Sequence, residues 1–160
     1  MKTITGKDNN SMMAWHYTRG YGFKKIIESG FLKCADGGIS IHEKPVLWFT
    51  VNQLWEPTVN GAKLVNGGRN IKSLTMLETW ESEGLYRFGV PSNQLIPWVD
   101  LVKVANIPSK VRKVLEISAR KMGSNPYQWC GYMQPMEIHE TVIETMADFG
   151  KWQSIGETVQ

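Results

Sequence analysis

Apolar and polar positions along this chain alternate in short runs bounded by glycine, proline and asparagine. The polar opening MKTITGKDNNS (residues 1–11) reads as a loose tail or a short leading strand. Met12 to Thr18 (MMAWHYT) is apolar and aromatic, the composition of a buried strand. Thr18 can then cap a helix in which Phe23, Ile26 and Ile27 follow the i, i+3, i+4 spacing of one buried face. Gly30 stands where a left-handed residue closes such a helix, and Phe31 and Leu32 return to the core.

Further along, Asp36-Gly37-Gly38 is a turn, followed by a candidate short strand at Ile39 to Ile41. Val46 to Val51 (VLWFTV) is β-branched and aromatic and reads as a central strand. NQLWEPTVNGA is irregular, Val65 to Asn70 reads as a loop, and Ile71 to Glu83 reads as a weak helix. Leu85 to Val90 alternates as a strand ended by Pro91, and Leu95 to Val104 is an apolar run around Trp98, interrupted by Pro97. The cleanest helix opens at Ser109 and closes at Gly123, with Val111, Val114, Leu115, Ser118 and Met122 on one face. Glu137 to Met146 reads as an alternating strand with a helix as its rival, and a short edge strand is expected around Trp152. Strands and helices do not alternate regularly. The pattern therefore predicts an α+β domain over residues 12–160, with a mostly antiparallel sheet and two or three helices.

Composition agrees with one ordinary domain. The 160 residues are 42% hydrophobic and 21% charged, sufficient for a core without disulfides or metal. Mean hydropathy is −0.28 and no apolar run approaches the roughly 18 residues of a membrane helix. With no apolar segment in the polar opening, no secretory signal is expected, and a cytoplasmic protein without a membrane partner follows as the expectation. Cys34 and Cys130 are too few for a disulfide framework or a zinc site and are expected to be reduced and mostly buried. His16, His42 and His139 lie far apart without companion ligands, so no metal is expected. Nucleotide-loop and hydrolase signatures are absent. The net charge of +3 hides an asymmetry. Lys103, Lys110, Arg112, Lys113, Arg120 and Lys121 surround a single Glu116, whereas Glu137, Glu140, Glu144, Asp148 and Glu157 share the C-terminal stretch with Lys151. Either these are solvated faces, or the basic helix steers nucleic acid.

Candidate chemistry concentrates near the N-terminus. In a strand, His16 and Thr18 share one face and Trp15 and Tyr17 the other, and an imidazole at a strand end can serve a cleft as donor or acid–base group. Trp48, Trp55 and Glu56 flank a polar turn stiffened by Pro57, which makes either a wall for a planar ligand or plain core. Arg19, Arg69 and Arg87 are candidates for gripping a phosphate or carboxylate. Trp80, Trp98, Trp129 and Trp152 are assigned to core packing.

The segment HYTRGYGFKKIIESGFLK, with the later PVLWFT, resembles the opening of ADP-ribosyltransferase-like proteins. It is similar to the DarT-type DNA ADP-ribosyltransferases and RNA 2′-phosphotransferases among small bacterial branches, over about a quarter of the chain. The resemblance implies a split sheet and NAD as substrate, with a protein or nucleic acid as acceptor. Carried over, it places His16, Tyr17, Thr18 and Arg19 at the first NAD-binding motif. Trp48, Phe49 and Thr50 fall at the second, where Trp48 or Phe49 takes the stacking role of an absent tyrosine. A late carboxylate is Glu137, or Glu140 as second choice, although Gln134-Pro135-Met136-Glu137 has one residue more than the usual Gln-x-Glu. His16 and Glu137 would thus be the catalytic pair. The competing reading is a non-catalytic binding module of bacterial or phage accessory type on the same scaffold.

Overall fold

The computed structural model describes residues 12–35 and 42–155; the expected tail (1–11), the turn at 36–38 and the strand at 39–41 lie outside them. In chain order the elements are β1 (Met13–Arg19), α1 (Gly20–Ser29), β2 (Phe31–Leu32), β3 (Leu47–Thr50), β4 (Ala62–Val65), β5 (Asn70–Ser73), α2 (Met76–Glu83) and β6 (Leu85–Pro91). There follow β7 (Ile96–Pro97), α3 (Trp98–Val104), α4 (Ser109–Lys121), β8 (Trp129–Tyr132), β9 (Met136–Glu137), β10 (Val142–Asp148) and β11 (Lys151–Ser154). The fold is α+β, built on a seven-stranded antiparallel sheet of order β11-β10-β6-β1-β3-β8-β7. Four helices pack with it among the described residues, against an expectation of two or three. None is long and apolar enough to cross a membrane.

The differences from the sequence pattern have local causes. Residues 70–73 are not helical. They pair with β4 as a hairpin whose turn uses positive φ at Asn66, Gly67 and Gly68. Helix α2 starts only after Thr75, whose side chain forms a reciprocal capping box with Glu78. Pro97 does not interrupt a strand; it is the N-cap of α3, where its missing N–H costs nothing. The stretch from Glu137 to Met146 is neither one strand nor one helix. A 3₁₀ turn at Ile138–Glu140 divides it, so β9 pairs with β2 in a separate small sheet while β10 joins β6. Thr18 does not cap α1 but stays in β1 opposite Tyr86. The cap is supplied by Glu83, which accepts the Tyr21 N–H at 3.1 Å and the Arg19 guanidinium at 3.0 Å. Gly30 closes α1 in the left-handed region (φ 80°). On α4, Val114 is exposed and leaves the expected face to Val111, Leu115, Ala119 and their neighbours.

One face of the sheet buries Ala14, Leu47, Phe49, Phe88, Val90 and Cys130 against Phe23 and Ile26 of α1. The opposite face carries two separate clusters. Trp15, Tyr17, Trp55, Leu85 and Met146 pack at one end, and Val46, Trp98, Leu101, Val102, Ala105 and Ile107 at the other, extended by Trp48 and Trp129.

Arg87 sits at the first of these two clusters and is almost fully buried. Its guanidinium lies 3.6 Å from the Trp15 ring centroid and 4.4 Å from that of Trp152, a double cation–π contact. Both Nε and Nη2 donate to Glu144 Oε1, the former at 2.8 Å, while Nη1 donates to the Gln53 carbonyl (2.7 Å) and the Tyr17 hydroxyl (3.2 Å). Gly89 opposite Trp15 makes this possible, since a Cβ there would lie 2.4 Å from Trp15 Cζ3. Glu144→Ala leaves Arg87 buried without its counter-charge, and a loss of about 3–5 kcal/mol is expected. Denaturant unfolding measures it; a loss below about 1 kcal/mol would show that the cage does not hold the sheet together.

Candidate functional site

Strands β1 and β3 pair at one position only, Trp15 with Thr50. Continuing the antiparallel register would set Tyr17 opposite Trp48. Instead the strands diverge, and His16 Nδ1 lies 2.8 Å from the Trp48 carbonyl oxygen. A carbonyl only accepts, so Nδ1 carries the proton and Nε2 is the lone-pair nitrogen. Burial pushes the imidazole below its ordinary value of 6.5, opposed by the Trp48 hydrogen bond, so the ring is neutral at pH 7. The Phe49 ring meets it edge-on at 5.9 Å.

Beside this split, between the two clusters, lies a cavity of about 500 Å³. Its walls are Trp15, His16 and Tyr17 of β1, Trp48, Phe49 and Thr50 of β3, Trp129 of β8, Leu115, Ser118, Ala119 and Met122 of α4, and the turn carrying Glu56, Thr58 and Val59. The size and the mixture of aromatic walls with a few polar groups suit a small-molecule site. A larger open groove of about 860 Å³, along Phe31, Lys33, Cys34, Lys44 and Pro45, has no buried polar side chain in its lining.

Glu56 is 7% exposed. Its Oε2 accepts from the Thr58 hydroxyl (2.7 Å), the Ser124 hydroxyl (2.6 Å) and the Thr58 N–H (3.4 Å). Oε1 has no hydrogen-bond partner among the described residues. Tyr17 presents its ring to the cavity, but its hydroxyl donates to the Asn52 carbonyl at 2.6 Å. Burial pushes that phenol up to about 12, with Arg87 opposing. Thr50 is closed off too, its hydroxyl accepting from Asn52 N–H.

The chain's seven tryptophans divide at this site. Five indole N–H groups are occupied: Trp15 by Gln53 Oε1, Trp55 by Asn60 Oδ1, Trp80 by the Met146 carbonyl, Trp98 by Glu116 and Trp152 by the Leu54 carbonyl. Those of Trp48 and Trp129 have no partner among the described residues, and both rings line the cavity. Trp129, expected in the core, does pack against the Trp98 cluster and lines the cavity as well.

Of the residues singled out from sequence, His16, Tyr17, Trp48, Phe49 and Thr50 share the cavity. Thr18 faces α1, with Gly22 against its hydroxyl. Arg19 is paired with Glu83, and Arg87 already grips the carboxylate of Glu144, so neither guanidinium is free as expected. Arg69 is exposed beyond the tip of the β4–β5 hairpin. Glu137 is outside the cavity, in β9 opposite Phe31, where its carboxylate lies 3.3 Å from His139 Nδ1. Glu140 belongs to the same exposed group, whose donor atoms lie within 4.8 Å of one another. The cavity's carboxylate is Glu56, whose only trace in the sequence is its place between Trp55 and Pro57. Cys130 is buried behind Phe49, and burial pushes its thiol up to about 12; Cys34 is half-buried and shifted the same way. No protein-family model, curated protein or solved structure matches this chain.

The half-buried His16, whose imidazole is desolvated by the residues around it, generates a pH dependence. The folded protein binds a proton there less readily than the unfolded chain does. Its contribution to stability is therefore complete above about pH 6.5 and is lost as the pH falls below that value. His16→Gln keeps a donor for the Trp48 carbonyl but removes the titration. Between pH 7 and pH 5 the wild type is expected to lose more thermal stability than the variant; parallel melting-temperature curves would contradict the assignment.

Proposed function

We propose that this chain is an NAD-consuming ADP-ribosyltransferase, or NAD glycohydrolase, whose nicotinamide end enters the cavity between β1, β3 and α4. The observation that carries the reading is the convergence of His16, Trp48, Phe49 and Thr50 on one cavity from two separate strands. These are residues on which the resemblance to ADP-ribosyltransferase-like proteins rests. The antiparallel sheet that parts beside His16 supports the same reading of the fold.

The chemistry is cleavage of the bond between nicotinamide nitrogen and ribose. Nicotinamide leaves neutral with the electron pair of that bond, and positive charge develops on the sugar. An acceptor oxygen or nitrogen, or water, then bonds to the ribose carbon and gives up its proton. His16 Nε2 offers an acceptor to a ligand hydroxyl or amide, and the Trp48 and Trp129 rings offer faces to a flat heterocycle. Helix α4 walls the cavity with Leu115 and Ala119, and bears Lys110, Arg112, Lys113, Arg120 and Lys121 elsewhere on its surface. That charge supports an anionic partner for this helix, whether the dinucleotide's pyrophosphate or a nucleic-acid acceptor; a protein acceptor is the alternative.

One observation favours a second reading, a binding module that does not turn NAD over. Glu137, the carboxylate that the resemblance makes catalytic, is not among the cavity's residues. Incubation of the purified protein with NAD separates the two. The enzyme reading expects nicotinamide release, reduced about tenfold or more by His16→Ala and by Trp48→Ala. Release that survives both substitutions overturns the site; NAD binding without any release establishes the second reading.

A further inference from the structure

Glu56 is more than nine-tenths buried, yet no Lys, Arg or His among the described residues is within ion-pair distance of it. Buried carboxylates are ordinarily matched by a cation, because removing the charge from water costs several kcal/mol. The three donors on Oε2 meet part of that cost and hold the group in one orientation. Oε1 is left over.

The surroundings supply no positive charge. The cavity lining contains no lysine or arginine, and its histidine is neutral. The nearby Arg87 is committed to Glu144 behind the Trp15 ring. The lining does include Trp48 and Trp129, whose rings meet edge to face with centroids 6.1 Å apart, and an indole ring attracts a cation through its quadrupole. Their two unpartnered N–H groups add donors for a polar substituent on a ligand ring.

From this we infer that the cavity is a site for a flat organic cation, an N-substituted pyridinium in type, with Glu56 as its counter-charge and Trp48 and Trp129 as its walls. The inference deepens the reading of the cavity as a nicotinamide-binding site and rests on it, but not on turnover. It makes Glu56 the residue that distinguishes a charged ring from its neutral counterpart. The reduced dinucleotide, whose dihydropyridine ring is uncharged, is accordingly excluded by charge rather than by size.

Two near-isosteric probes test this, 1-methylnicotinamide (cationic) and nicotinamide (neutral), titrated by calorimetry into the full chain. The wild type is expected to bind the cation about tenfold more tightly or better, and Glu56→Gln to reduce that preference severalfold, leaving only what the indole rings supply. Equal binding of both probes by the wild type overturns the inference without recourse to any variant. A preference undiminished in Glu56→Gln overturns the assignment to Glu56. The failure of this inference is separable from that of the enzyme reading. Cation preference without nicotinamide release from NAD leaves the site standing and removes the enzyme. Nicotinamide release without cation preference does the reverse.

Discussion

A single buried guanidinium organises the half of the molecule on which the cavity depends. Arg87 would be costly to bury on its own; here Glu144 meets its charge, and the Trp15 and Trp152 rings lie within cation–π distance of it. The same group reaches the Gln53 carbonyl. On either side of that carbonyl, those of Asn52 and Leu54 accept from the Tyr17 hydroxyl and the Trp152 indole. Three consecutive carbonyls are thus clamped by side chains from three different strands, those of Tyr17, Arg87 and Trp152. The segment they hold leads directly into Trp55 and Glu56. The position of the cavity's carboxylate is therefore a consequence of how the sheet solves the burial of one arginine.

The opening itself arises from a ladder that stops early. A fully paired β1 and β3 would close the sheet and leave the Trp48 carbonyl bonded to backbone. One pair forms, the strands part, and an imidazole takes over that carbonyl. Beyond this point the sheet's face is covered by two clusters that do not merge, and α4 spans the gap with small residues, Ser118 and Ala119. Larger side chains there would fill the space. A neutral histidine, two tryptophans with free indole N–H groups and one buried carboxylate are what remains to meet a ligand.

What could be read from the sequence was whatever short-range pattern decides. The strand–helix–Gly30 unit, the VLWFT strand, the Leu85 strand and the Ser109 helix all appear where apolar spacing puts them, although Thr18 does not supply the expected cap. The departures occur where a distant partner or a single turn decides. Asn66-Gly67-Gly68 folds residues 62–73 into a hairpin that helical spacing alone does not reveal. Glu137 is drawn into a two-residue pairing with Phe31, more than a hundred positions away, and so leaves the main sheet. Arg87 has the chemistry to grip a carboxylate, as its type suggests, but the carboxylate is the protein's own. Glu56 stands in the sequence only as part of a turn that could be a ligand wall or plain core; its burial depends on Ser124, a partner 68 residues further on, which no local motif encodes. His16 and Trp48, both singled out in the sequence, do line one cavity, since the strands that carry them are neighbours in the sheet.

The unequal state of the seven indoles offers the most direct test of the account. In a ¹⁵N-correlated spectrum each tryptophan N–H is a separate reporter, and five of them are already hydrogen-bonded within the fold. On titration with NAD, the account predicts that the largest shifts fall on Trp48 and Trp129, while Trp80 and Trp98 stay in place. Shifts concentrated on any other indoles, or none at saturating NAD, would contradict it.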